Sequence, residues 1–149
     1  EIMGRIAEGT EEVFPFRDWP ARFGEATGMG LQEAVAHAAC HLAQEIRAAV
    51  IVTCTQSGST TRLVSKYRPS QPILALTPDE ATYRRLALVW GAVPLRMKPA
   101  EDEDAMEQQA IQIARDSGLV KPGQTMVITA GLPLHVAGTT NLVRVVTAE

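Results

Sequence analysis

The 149 residues, 46% hydrophobic and 21% charged, are enough for one domain with a sizeable core. A net charge of −3 and a pI of about 5.6 exclude broad attraction to nucleic acid or to acidic membranes. No apolar run approaches the ~20 residues that a bilayer-spanning helix needs. Cys40 and Cys54 form neither a C-x-x-C pair nor a disulfide-dense pattern, so a reducing, cytoplasmic setting is expected. The opening Glu1-Ile2-Met3-Gly4-Arg5 lacks the basic-then-apolar order of a secretion signal.

Residues 1–14 read as a short helix marked by Ile2, Ile6 and Val13, without a cap and with little to pack against. Pro15 to Gly30, with two prolines, three glycines and Trp19, reads as a connector. The expected division is therefore 1–27, a linker helix and connector continuing from something upstream, and 28–149, one compact domain. A native flexible arm is the alternative for the first stretch.

From Leu31 the apolar residues Leu31, Ala34, Val35, Ala38, Ala39, Leu42 and Ile46 recur at helical spacing and predict one buried face. A buried strand follows at 49–54, then the run Thr55-Gln56-Ser57-Gly58-Ser59-Thr60-Thr61-Arg62, then a short helix to about Tyr67. The segment Pro69-Ser70-Gln71-Pro72 turns the chain into a second strand, 73–76. Thr77-Pro78-Asp79-Glu80 predicts a capping box with proline at the first helical position, opening a helix to about Trp90 that Gly91 stops.

A third strand, 93–97, carries Pro94 and so belongs at a sheet edge. Glu101-Asp102-Glu103-Asp104 opens a long helix whose inward marks are Met106, Ala110, Ile113 and Ala114. Those acids suit a positive helix end without any other partner. Gly118 ends the helix and Lys121-Pro122-Gly123 turns the chain into strand 126–129. The loop 130–140 then leads to a last strand, 142–146, which has no crossover helix before it and is expected antiparallel at an edge. The fold class is α/β: a three-layer α/β/α sandwich with a mostly parallel five-stranded sheet and an antiparallel edge strand.

Such sheets bind ligands outside the carboxyl ends of their strands, where the loops 55–61 and 130–140 both fall. The hydroxyls of Thr55, Ser57, Ser59 and Thr60, with amides around Gly58, can hold phosphate oxygens at a positive helix end, and Gly138-Thr139-Thr140 can close over the same ligand. The same residue types also serve simply as helix cap and turn. No Walker, dinucleotide or nucleophile-elbow motif accompanies them, so Ser57 has no pattern marking it as a nucleophile.

Glu33, His37, His41 and Glu45 recur every four residues, a stripe better suited to solvent or a subunit face than to zinc, because no H-E-x-x-H motif is present. His135 lies in the second rim loop, and Tyr83 and Trp90 read as core or interface packing. Cys54 reads as a small buried filler.

Taken whole, TQSGSTTRLVSKYRPSQPILALTPDEATYRRLALVWG (Thr55 to Gly91) resembles the C-terminal domain of pyruvate kinase. SGLVKPGQTMVITAGLP and GTTNLVRV resemble the closing segment of bacterial members, and the similarity covers about residues 27–147. The resemblance implies a whole enzyme that moves phosphoryl between phosphoenolpyruvate and ADP with Mg²⁺ and usually K⁺. Its catalytic residues lie in a barrel domain outside this sequence, so the chain alone is not expected to turn over substrate, and no catalytic or metal-ligating residue is assigned to it.

By the same resemblance this domain carries the allosteric effector site and a tetramer interface. The family's effector-phosphate cradle falls on Thr55, Gln56, Ser57, Gly58, Ser59 and Thr60, with Gly138 and Thr139 as its partner loop. Members responding to fructose 1,6-bisphosphate hold the second phosphate with a Trp and an Arg. Counted back from Gly118, those places fall near Pro99 and Met106, with Lys98 or Arg96 as the available substitutes. The expected partner is a monophosphate effector, a sugar monophosphate or AMP, in preference to the bisphosphate. A freestanding phosphometabolite-binding module and a small enzyme acting on a phosphorylated substrate are the competing readings.

Overall fold

The computed structural model describes residues 2–15, 29–134, 136 and 138–148; Trp19 with most of the expected connector, and His135, lie outside them. The chain runs α1 (Ile2–Glu12), α2 (Leu31–Glu45), β1 (Val50–Cys54), α3 (Ser59–Lys66), β2 (Ile73–Thr77), α4 (Glu80–Leu86), β3 (Ala92–Arg96), α5 (Glu103–Asp116), β4 (Thr125–Gly131) and β5 (Thr140–Thr147). The strands form one sheet in the order β3-β2-β1-β4-β5. Pairing is parallel throughout except between β4 and β5. Pro94 lies on the edge strand β3 and the antiparallel strand forms the other edge, as the sequence predicts.

Every residue of β1 and of β2 is buried, which is what an apolar strand flanked on both sides and covered on both faces requires. Successive side chains serve opposite layers. Val50, Val52, Leu74, Leu76, Met126 and Ile128 pack beneath Met106, Ala110 and Ala114 of α5. Ile51, Ile73 and Val127 face the other way, against Ala36, Ala39, Cys40 and Ala43 of α2 and Val64 and Tyr67 beside α3.

The buried face of α2 differs from the predicted one. Ala36, Ala39, Cys40 and Ala43 are buried, whereas Leu31 is 68% exposed and Ala34 and Ala38 also face outward. The helix is apolar on more than one side, and close approach to the sheet selects its smallest side chains for contact. The four-residue stripe divides accordingly. Glu33 and His37 are half-buried beside Tyr67, with the His37 and Tyr67 ring centroids 4.9 Å apart, while His41 and Glu45 are exposed.

The cap of α4 also moves. Asp79, not Thr77, is the N-cap, its carboxylate accepting from the Thr82 amide at 2.6 Å. Thr77 precedes a proline, which disfavours helical backbone, so it stays in β2 and its hydroxyl accepts from the Asp79 amide at 3.2 Å. The helix ends at Leu86 rather than near Trp90. Beyond it the amides of Leu88 and Val89 reach back only three residues, to Arg85 and Leu86, tightening the turn before Gly91.

Asp102 caps α5 by accepting from Ala105 at 2.7 Å. The acidic opening of α5 does have a partner: Glu103 and Glu107 both accept from Arg144 of β5.

Ile51 lies at 0% exposure between the central strand and α2, where little relaxation is possible. Ile51→Ala is expected to lower unfolding free energy by about 2–5 kcal/mol, read by chemical denaturation. Asp79 supplies a pH-dependent test, because the Thr82 amide holds its carboxyl below the ordinary 3.8. A depressed folded pKa contributes stability that is complete above 3.8 and is lost as pH falls through the folded value. Asp79→Ala should therefore melt below the wild type at pH 7, with the gap closing on acidification past that range.

Candidate functional site

The central strand β1 delivers the chain to the site. The Thr55 amide extends the parallel ladder to the Leu76 carbonyl at 2.9 Å, and the Thr55 hydroxyl then accepts from the Gly58 amide at 2.9 Å, closing a tight turn. Gly58 is the N-cap of α3 with φ 81°. A Cβ there would stand 3.0 Å from Leu86 Cδ2 and 3.3 Å from the Arg62 guanidinium, so both conformation and space call for glycine. Because the cap is glycine, no side chain caps α3. The Ser57 hydroxyl accepts from the Ser59 amide at a long 3.4 Å and donates to the Ser59 hydroxyl at 3.1 Å. The positive helix end is left facing the rim of the sheet.

Two buried hydroxyl pairs fix this turn. Thr61 bonds Thr53 of β1 at 2.7 Å. Thr60 bonds Thr140 at the start of β5, joining the two loops that the sequence places on the same rim. On the far side β4 shifts register at Ala130/Gly131 and the chain leaves through a cis Leu132–Pro133 bond. Asn141 clamps the base of this rim loop, its side chain accepting from the Leu132 amide at 2.9 Å and donating to the Leu132 carbonyl at 2.8 Å. Higher up, the Thr139 hydroxyl donates to the Val136 carbonyl at 2.9 Å, and Gln32 of α2 donates to the carbonyl of Gly138.

These elements border one pocket. Thr55, Gln56, Ser57, Ser59, Thr60, Gly138 and Thr139 all line it, while Gly58 shapes the turn beneath. The opposite wall is apolar: Met97, Pro99, Ala100 and Met106 after β3, with Leu134 and Val136 from the rim loop. Pro99 and Met106, the two positions counted back from Gly118, both line the pocket. Lys98 lines it too and carries the only charge among the described lining residues. Arg96 does not line it, being held by Glu80 and, at 2.6 Å, by the Pro78 carbonyl. Gln56 Oε1 is buried there without a hydrogen-bond partner.

The lining offers hydroxyls, amides and one ammonium, and among the described residues no carboxylate or imidazole that could shuttle a proton. Burial pushes the Cys54 thiol up to about 12, leaving it protonated at neutral pH. Among the described residues the lining therefore offers directed hydrogen-bond donors and acceptors without a nucleophile–base pair.

Gln32, Gly131 and Asn141 escaped the sequence reading. Gln32 stands on a helix far away in sequence, and a lone Asn beside two threonines signals only a turn. Gly131 sits where a Cβ would meet Thr139 Oγ1 at 2.5 Å and the Thr139 carbonyl carbon at 3.0 Å. Gly131→Ala should therefore push the rim loop off β4 and lower unfolding free energy by about 1–3 kcal/mol, measured by denaturation alongside backbone amide shifts at 138–141.

Comparison with known proteins places this geometry. The family described as "Pyruvate kinase, alpha/beta domain" matches residues 33–146. The pyruvate kinase of Geobacillus stearothermophilus is 41% identical over 145 residues, covering 97% of this chain and 25% of that protein. That of Lactobacillus delbrueckii subsp. bulgaricus is 40% identical over 146 residues, again 97% of this chain and 25% of its own. The crystal structure of a pyruvate kinase from Cryptosporidium parvum superposes with a TM-score of 0.84 at 25% identity, over 99% of this chain and 29% of that one. The chain spans about a quarter of the length of the curated relatives it matches. It belongs to the pyruvate kinase family, of which it is the C-terminal alpha/beta domain.

Proposed function

We propose that this chain is the regulatory domain of a pyruvate kinase and holds a phosphorylated small-molecule effector between the turn 55–60 and the rim loop at Gly138 and Thr139. The observation that carries the reading is the uncapped first turn of α3, opening into a pocket lined by Ser57, Ser59 and Thr60. An unneutralised helix end ringed by hydroxyls favours a phosphate monoester dianion over a neutral ligand. Catalysis, in this reading, belongs to the whole enzyme: phosphoryl transfer between phosphoenolpyruvate and ADP, in a cytoplasmic tetramer to which this domain contributes an interface. Mg²⁺ and K⁺ serve that whole enzyme. Among the described residues no group of three or more His, Cys, Asp or Glu could hold a metal ion.

The opposite wall narrows the effector. A second phosphate would rest against Pro99 and Met106 with Lys98 alone for company, and an anion held mainly by apolar surface loses its hydration without replacement. A sugar monophosphate or AMP instead lays its uncharged body on that wall. Both cysteines are free and buried, in keeping with a reducing compartment. No described helix is long and apolar enough to cross a membrane.

Calorimetry on the chain tests the reading. AMP and ribose 5-phosphate should bind, and Ser57→Ala combined with Ser59→Ala should weaken them about tenfold or more, the loss expected for hydrogen bonds to a charged group. Tight fructose 1,6-bisphosphate binding with no response to either monophosphate refutes the effector assignment.

A further inference from the structure

Helix α1 lacks what usually holds a helix in place. Its 11 residues bury no side chain, and Ile2, Met3, Ile6 and Val13 are all exposed. Its last turn carries Glu11 and Glu12 and no basic residue, so its charge opposes the negative end of the helix dipole. A helix of this length is marginal in water on propensity alone. A contact from outside the helix offsets that cost: the Trp90 indole Nε1 donates to Glu11 Oε1 at 2.9 Å, 79 residues away in sequence.

Trp90 is firmly held. The Ser65 hydroxyl of α3 donates to the Trp90 carbonyl at 2.7 Å, and the adjacent Gly91 carbonyl accepts from the Ile73 amide at 2.9 Å, which fixes this turn to both α3 and β2. The Arg68 guanidinium stands 4.3 Å from the centroid of the indole. Arg68 reaches it from φ 49°, a left-handed conformation that residues with a side chain adopt at a cost. Its amide closes the end of α3 onto the Ser65 carbonyl at 3.0 Å. An aromatic face is the negative region of the ring and its N–H edge the positive one. A cation on the face and a carboxylate at the edge therefore each meet the sign they need. Just past α1, Phe14 and Pro15 border a cleft with Gln44, Arg47, Ser70 and Gln71, so the chain stays against the body beyond this contact.

We infer that Trp90, with Arg68 on its face, is a docking site for a carboxylate, and that its occupant is Glu11, which anchors α1 to the domain by its last turn. The inference does not depend on what the pocket between α3 and the rim loop binds. It gives the two acids of that turn different roles. Glu11 is the anchor, and its indole donor offsets the repulsion from the helix end. Glu12 is exposed and meets the same repulsion without that donor.

Glu11→Ala and Glu12→Ala in the full chain separate anchoring from helix chemistry. Alanine is the better helix former, and either change removes a charge from the unfavourable end. Without an anchor both should slow amide exchange at residues 6–12 alike. With it, Glu12→Ala slows that exchange and Glu11→Ala quickens it about tenfold or more, the loss of a hydrogen bond to a charged group. Trp90→Phe keeps a ring for Arg68 and deletes the donor. It should match Glu11→Ala, and the double variant should add nothing further. Exchange in β1 and β4 should stay at wild-type rates and reports that the body is folded; should Trp90→Phe disturb it, the glutamate pair on exposed α1 still decides. Equal slowing in the two glutamate variants overturns the anchor, as does wild-type exchange at 6–12 in a folded Trp90→Phe. A wild-type α1 that exchanges no slower than an unstructured chain overturns it as well.

Discussion

The open first turn of α3 is the feature on which the rest of the site depends. Most helix starts are closed by a side-chain oxygen, and this chain does so at α4 with Asp79 and at α5 with Asp102. At α3 the cap is Gly58, in a left-handed conformation that only glycine adopts without strain, and no side chain closes the turn. The neighbouring hydroxyls are engaged elsewhere: Thr55 on the turn, Ser57 on Ser59, Thr61 on β1, Thr60 on Thr140. The same sequence that builds a rigid strand-to-helix corner thus leaves its positive end unquenched.

That corner is held by polar contacts inside an otherwise apolar sandwich, and the choice of threonine follows from the cost of unpaired buried groups. Thr53 and Thr61 are both at 0% exposure and satisfy one another across the β1–α3 junction. Thr60 and Thr140 do the same across the junction with β5. Valine at either member would fit the volume yet orphan its partner, so these pairs specify the register between cradle and rim rather than adding bulk stability. Thr129, beside Thr53 in the β1–β4 register, has a buried hydroxyl without a protein partner, and extends this polar layer beneath the seat.

Much of this was legible from residues alone, because strands buried on both faces write themselves as unbroken apolar runs. VIVTC and ILALT leave little choice of partner or layer, and Pro94 and the missing crossover helix mark the two edges. The face of α2 holds in part, at Ala39 and Leu42, but Leu31, Ala34 and Ala38 obey helical spacing as well as the buried Ala36, Cys40 and Ala43 do, and periodicity does not record which side meets the sheet. The cap of α4 was displaced by one competition, proline's grip on Thr77 against the reach of Asp79. In the site, the hydroxyl half declared itself by composition. The apolar half did not, since Met97, Ala100 and Leu134 look like core until the topology leaves them lining a pocket.

The ion pairs of Arg144 connect this placement to the pocket's opposite wall. Arg144 lies on the antiparallel edge strand and holds Glu103 and Glu107 in the opening turns of α5. The segment just before that helix carries Lys98, Pro99 and Ala100, and the strand bearing Arg144 begins at Thr140. One guanidinium, 38% exposed, thereby ties the strand that ends the rim loop to the helix that follows the apolar wall. Its value is geometric: pairs at this exposure contribute little net stability, but two carboxylates on one planar group fix distance and orientation together. Charge thus sits on the outer side of the wall, in the Arg144 pairs, while among the described residues its pocket-facing side carries Lys98 alone.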